Sequence, residues 1–338
     1  MTLRTAVIGV GAMGVNHARI YADMPEVELV AVADSESQLL ENIQRRFHVE
    51  TFQDPIELLE TMRPDAVSIA VPTVEHPAVA LAAIEAGAHI LLEKPIAFSL
   101  DEAERIIQAA DQANVKLMVG HIERFNPAIS ELRARLIAGE LGRVYQIDAR
   151  REGPFPARVQ DVGVVVDLAV HDLDVIRYVT GSEFTRVYAE TERKIHSTHE
   201  DLLAGLLRLA DGIVCTLSVN WLTPTKIREI LVVGERGMFR VDYLTQDLYF
   251  FENAVTQSPD WDALQMLRGV SEGRMIRYVV AKKEPLRAEI EAFVGCVKSD
   301  TAPPVSGADA LQALALAKAI VQSGQENRVI ELHRPIPS

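Results

Sequence analysis

At 338 residues the chain is too long for one ordinary core and suits two domains of common size. Its 48% apolar and 24% charged residues are those of a soluble globular protein, and no apolar run approaches the roughly 20 residues of a bilayer span. A net charge of −14 disfavours nucleic acid as a partner, Cys215 and Cys296 lack metal-ligand spacing and suit a core, and the first residues lead into a strand rather than a secretory signal, so the cytoplasm is the expected compartment.

From residue 5 to 120 short β-branched runs alternate with amphipathic stretches, which predicts βαβ units and a parallel sheet. Strands are expected over 5–9, 27–33, 66–71, 89–92 and 116–120, with helices over 13–23, 37–47, 55–62, 76–86 and 100–113. Ser99 with Glu102 forms a capping box at the start of the last helix. The first strand runs into Gly9-Val10-Gly11-Ala12-Met13-Gly14 and then a helix. That order suits a dinucleotide pyrophosphate, because glycines permit close backbone approach and the helix N-terminus faces the anion. Asp34, at the end of the second strand, is placed to accept from the adenosine ribose hydroxyls. Ser35 and Glu36 offer no cation to a 2′-phosphate, so NAD is expected over NADP. Lys94, in Glu93-Lys94-Pro95 at the carboxyl edge of the sheet, can reach both the nicotinamide ribose and a substrate hydroxyl; a surface Glu/Lys pair before a turn proline is the alternative. A cis Lys94–Pro95 bond is expected there.

The expected architecture is α/β: a doubly wound Rossmann domain over 1–122, then an α+β domain over 123–338 on a mostly antiparallel, open-faced sheet. Its elements are helices over 127–138 and 166–179 and strands over 143–151, 187–195, 202–209, 213–222, 227–233, 238–243 and 248–252. Late helices over 285–298 and 308–322 carry Ala and Leu at helical spacing and are expected to pack back on the first domain. Asp167 and His171, four apart, share a helix face. An imidazole can take a hydroxyl proton as hydride leaves, and a neighbouring carboxylate can orient it. A capping Asp beside a half-buried His is the alternative. A metal site is not expected, since the local pattern holds no third ligand.

These residues together resemble the glucose-fructose oxidoreductase, inositol dehydrogenase and MocA family. The matching elements are Gly9 to Gly14, Val71-Pro72-Thr73 with His76, Ala83 with Gly87, Glu93-Lys94-Pro95, Arg124-Phe125-Asn126-Pro127, and Gly163 with Asp167 and His171. The resemblance implies an NAD-dependent dehydrogenase with Lys94, Asp167 and His171 at the catalytic positions, and it adds Val71, Pro72, Thr73, His76 and Glu93 as neighbours of the cofactor. Departures from the family pattern are the single Gly163 where three glycines are usual, Ala169 between the Asp and the His, and Ile122-Glu123 before the Arg-Phe pair.

Three segments, 119–127, 150–158 and 220–226, resemble the family's UDP-N-acetylglucosamine 3-dehydrogenases. Arg150, Arg151 and Arg158 concentrate positive charge in an acidic chain, and guanidinium groups bind diphosphate through paired hydrogen bonds. With Arg124 and Trp221 they form the expected substrate-binding set; a solvated strand edge for the arginines and a core position for Trp221 are the alternatives. An inositol or free-sugar dehydrogenase would need no diphosphate clamp, and a non-catalytic sensor of NAD or sugar would need neither Lys94 nor His171. One face of the strand over 213–222 is expected to stay open for pairing into a homodimer or homotetramer. A downstream aminotransferase would draw off a keto product.

Overall fold

Leu3–Ile8 (β1) lies in the middle of a six-stranded parallel sheet in the computed structural model, which describes residues 2–156, 162–254 and 272–332. The chain falls into two units, Met1–Ile122 with Glu284–Ala315, and Glu123–Lys283 with Leu316–Ser338. The first unit therefore takes in a late stretch of the chain.

In that unit Gly14–Asp23 (α1), Val27–Ala33 (β2), Ser37–Phe47 (α2), Glu50–Phe52 (β3), Pro55–Met62 (α3), Ala66–Ile69 (β4), His76–Glu85 (α4), His89–Leu92 (β5), Leu100–Ala113 (α5) and Leu117–Val119 (β6) follow one another. The strand order is β3-β2-β1-β4-β5-β6. Sequence order reverses between β1 and β4, the switch point beside which open α/β sheets bind ligands. β4 and β5 are near-continuous apolar runs because both faces of a parallel sheet are covered. Helix starts follow from caps: Asp54 accepts from Ile56 N–H ahead of Pro55, and Ser99 and Glu102 complete their capping box. The short β3 escapes sequence analysis, since three residues carry no readable alternation. Pro285–Ser299 (which we number α8) and the first part of Gly307–Glu326 (α9) belong to this unit as well.

The second unit holds Pro127–Ile137 (α6), Val144–Pro154 (β7), Val170–Thr180 (α7), Phe184–Glu192 (β8), Leu202–Leu209 (β9), Val214–Asn220 (β10), Leu222–Gly234 (β11), Gly237–Asp242 (β12), Asp247–Asn253 (β13), Glu272–Tyr278 (β14) and Ile330–Glu331 (β15). Its sheet runs β14-β13-β12-β11-β7-β10-β9-β8-β15, antiparallel except for the β7–β10 pair. On β10 Cys215, Leu217 and Val219 are buried while Val214, Thr216, Ser218 and Asn220 stay half-exposed. The buried face meets Ala128, Ile129 and Leu132 of α6, Leu173 and Ile176 of α7, and Leu316 and Ile320 of α9 in one core. Among the described residues no helix is long and apolar enough to cross a membrane.

Candidate active site

The glycine turn after β1 is held by sterics at two points. A side chain at Gly9, whose φ is +83°, would stand 2.7 Å from the Ala70 and Val71 backbone, and one at Gly14 would meet the Gly9 carbonyl at 1.7 Å. Gly11 faces open space instead, with nothing within 4 Å of where a side chain would project. That leaves a cradle beside the N-terminus of α1 into which a pyrophosphate fits. Asp34 is locked beside it: Val10 N–H donates to Oδ2 at 2.7 Å and Glu36 N–H to Oδ1 at 2.9 Å. Ala12 and Pro72 are exposed around this edge, with Met13 and Val71 half-buried. The residues present suit NAD, the cofactor that would supply the hydride acceptor.

β5 delivers Glu93 and Lys94 to the same carboxyl edge, and the Lys94–Pro95 bond is cis, as expected from the sequence. Glu93 accepts from the Lys94 N–H at 3.3 Å and lies 3.1 Å from His17 Nε2. Burial works to raise the Glu93 carboxyl, but the hydrogen bond and charge of His17, together with Lys94, outweigh it and hold the carboxyl below its usual range. His76, buried with Thr73, sits 2.9 Å from the Pro95 carbonyl and 3.1 Å from that of Val71. It ties the loop after β4 to the turn after β5. Burial pushes its pKa down, against the pull of both carbonyls.

In the second unit Asp167 lies on a π-helical turn, Val165–Ala169, directly ahead of α7, which carries His171. Asp167 is buried and His171 half-buried. The expected straight helix is corrected at this point: one wide turn precedes α7, a feature common at functional sites. Glu200, which sequence analysis missed, anchors the start of that turn. Val164 N–H donates to the Glu200 carbonyl at 2.9 Å and Val165 N–H to its Oε1 at 3.2 Å, and a side chain at Gly163 would fall 2.0 Å from that same oxygen. Gly163 was the one available signal.

The expected substrate residues fall in different surroundings. Arg151 is 1% exposed, bonded to Asp172 through Nε at 2.7 Å and NH2 at 3.1 Å and to Glu123 through NH1 at 2.8 Å, so each of its three guanidinium nitrogens already has a carboxylate partner. Arg124 is buried against Asp174 in a bidentate pair at 2.8 and 2.6 Å and is no surface contact. Trp221 is a core residue, edge-on to Phe155 and stacked on His196. Arg150 leaves the opposite face of β7 and pairs with Glu152 and Glu229. Arg158 lies outside the described residues.

Arg228 is the cation that sequence analysis overlooked. It stands opposite Arg151 in the β7–β11 register, hence on the same face, and is half-buried with no ion pair among the described residues. Burial, and then the charge of Arg151, push its guanidinium down from the usual value, while Glu123, Asp172 and Asp167 pull it up. A neighbouring anion would relieve that position.

A Rossmann unit with a carboxylate fixed at the end of its second strand and a helix-backed mixed sheet are the frame of an NAD-dependent dehydrogenase, and the relatives below are dehydrogenases acting on sugar CH–OH groups. The chain belongs to the glucose-fructose oxidoreductase, inositol dehydrogenase and MocA family: residues 3–121 match its oxidoreductase NAD-binding Rossmann fold and residues 129–240 its C-terminal domain. The UDP-N-acetylglucosamine 3-dehydrogenase of Acidithiobacillus ferrooxidans is 32% identical over 87% of this chain and 88% of its own. A solved structure of that enzyme superposes with a TM-score of 0.85 at 30% identity, covering 96% of this chain and 98% of that one. The myo-inositol 2-dehydrogenase of Thermotoga maritima is 27% identical over 99% of this chain and all of its own.

Proposed function

We propose that the protein oxidises the C3 hydroxyl of UDP-N-acetylglucosamine, with NAD as hydride acceptor, to the 3-keto sugar nucleotide. The observation that carries this reading is the extended likeness to the Acidithiobacillus enzyme, which covers most of this chain and of that one. In this reading His171 accepts the C3 hydroxyl proton as the C3 hydrogen leaves with its electron pair. Lys94 hydrogen-bonds the same oxygen and the nicotinamide ribose, and Asp167 orients the two. Lys94 is the alternative proton acceptor. Arg228 takes the place of Arg151 in the diphosphate set first given to Arg150, Arg151 and Arg158. It supports an anionic substrate over a free polyol, the reading that the inositol dehydrogenase relative would favour.

Oxidation of a secondary alcohol by NAD is uphill near neutral pH, so little ketone should accumulate unless a following enzyme, an aminotransferase in this reading, removes it. The test is therefore isotopic. With substrate deuterated at C3, deuterium should appear in NADH. Turnover of free inositol with no transfer from the nucleotide sugar would overturn the assignment.

A further inference from the structure

Two sets of bonds hold the segment that runs from Gly163 through α7, and they grip different ends of it. Just after His171 the helix is tied down by charge. Asp172 accepts two hydrogen bonds from Arg151 of β7, and Asp174 two from Arg124 in the turn ahead of α6, with all four side chains buried. Paired bonds of this kind fix direction as well as distance.

Ahead of Asp167 the grip is Glu200. Its main-chain carbonyl accepts the Val164 N–H at 2.9 Å and its Oε1 the Val165 N–H at 3.2 Å, two of the groups that a helix start leaves without a partner of its own. The carboxyl group also fills the place of a side chain at Gly163, where a Cβ would stand 2.0 Å from Oε1 and 2.3 Å from Oε2. Glu200 is itself held by its neighbour: Asp201 donates its N–H to the Glu192 carbonyl and accepts the Trp221 N–H on its own, both at 2.9 Å.

Between the two grips lies the wide turn. Val170 N–H reaches five residues back to the Val165 carbonyl, whereas Asp167 N–H keeps the ordinary reach of four, to Gly163. Val165 is the pivot, its N–H given to Glu200 and its carbonyl to the wide bond. A regular helix turns by roughly 100° per residue, so closing this turn to the ordinary reach would swing Asp167 about the axis by up to that angle, past a His171 that the arginine pairs hold still.

We propose that Glu200 is a positioning residue for the dehydrogenase: by holding Gly163, Val164 and Val165 it keeps the turn wide and sets where the Asp167 carboxylate stands relative to the His171 ring. Glu200 acts through Asp167 and takes no part in proton or hydride transfer. The inference rests on the reading of Asp167 and His171 as catalytic and not on the identity of the sugar.

Glu200→Ala removes the carboxyl and Gly163→Ala drives it out by contact, while Glu200→Gln keeps an oxygen for the Val165 N–H. Both Ala variants should lose kcat by roughly tenfold to a hundredfold, the scale of a misplaced catalytic group, with KM for the sugar and NAD affinity within about twofold. Glu200→Gln should stay within about threefold of the unaltered kcat. A second readout needs no sugar. In full-length protein carrying isotope-labelled histidine, with the His171 signal assigned by its loss in His171→Gln, the His171 ring resonances should move in both Ala variants and return in Glu200→Gln. A cooperative melting transition in each variant checks folding. If the unaltered protein turns over neither the nucleotide sugar nor inositol, the functional reading fails and the ring resonances alone decide the role of Glu200. An unchanged kcat or unmoved His171 resonances in Glu200→Ala, or a Glu200→Gln as impaired as Glu200→Ala, would overturn it.

Discussion

On a strand, consecutive side chains leave opposite faces, so Arg150 and Arg151 cannot serve one ligand together. Their adjacency in the sequence suggested a clamp, and the pleat separates them. Arg151 is instead the centre of a buried ion cluster with Asp172 and Glu123. Removing one member of such a cluster leaves uncompensated buried charge, which costs about 3 to 5 kcal/mol. Arg151→Met should therefore lower the melting temperature sharply. Arg228 is partly exposed and unneeded by that cluster's hydrogen bonds. Arg228→Gln should leave melting nearly unchanged, raise KM for the nucleotide sugar at least tenfold, about 1.4 kcal/mol, and spare NAD affinity. Steady-state kinetics alongside thermal melting separates the two arginines; an unchanged KM in Arg228→Gln would remove it from the substrate site.

Elements with regular periodicity were legible in the sequence, and those bent by distant residues were not. The helices of the first unit fall where capping and apolar spacing put them, because their signals are local. The π turn at Val165–Ala169 begins on a bond to Glu200, about 35 positions on, and five residues have no period that could reveal it. The strand expected over 187–195 ends at Glu192 for a related reason. Asp201 draws the N–H groups of Lys194, Ile195 and His196 onto its carboxylate, which bends the chain out of the ladder. Burial would raise the Asp201 carboxyl, but those three N–H groups and His196 outweigh it and hold it below the ordinary carboxylate value. A depressed folded pKa means that the contribution is fully present above the unfolded value, about 3.9, and is lost as pH falls through the folded one. Asp201→Asn should cost about 2 kcal/mol at pH 7, with the gap from the unaltered protein closing below about pH 4. Melting curves across that range check it, and a gap that stays constant with pH would assign the stabilisation to something other than the charge.

For the whole molecule, the alternation of β-branched and amphipathic segments foretold the parallel sheet, and the close succession of strands foretold the larger antiparallel one. Assembly is the remaining question, and the outer face of the nine-stranded sheet addresses it. Val233, Met238, Phe251 and Met275 stand opposite one another across β11 to β14 and form an apolar row on the face opposite the core. Met275 is 63% exposed, and the others are half-buried. Charges around the row are already matched, Arg150 with Glu152 and Glu229, Arg240 with Glu229, and Arg277 with Asp247. A second copy approaching this face would therefore meet little of the repulsion that a net charge of −14 would otherwise bring. At about 4.8 Å per strand the nine strands span roughly 40 Å, wide enough for an interface of standard size. We expect light scattering at micromolar concentration to give a dimer or a dimer of dimers, and Phe251→Arg to yield a folded protein of lower mass. Ile230, on the inner face, is the control: Ile230→Arg should unfold the unit instead of dissociating it. A monomeric mass for the unaltered chain, or an unchanged mass in Phe251→Arg, would move the contact away from this row.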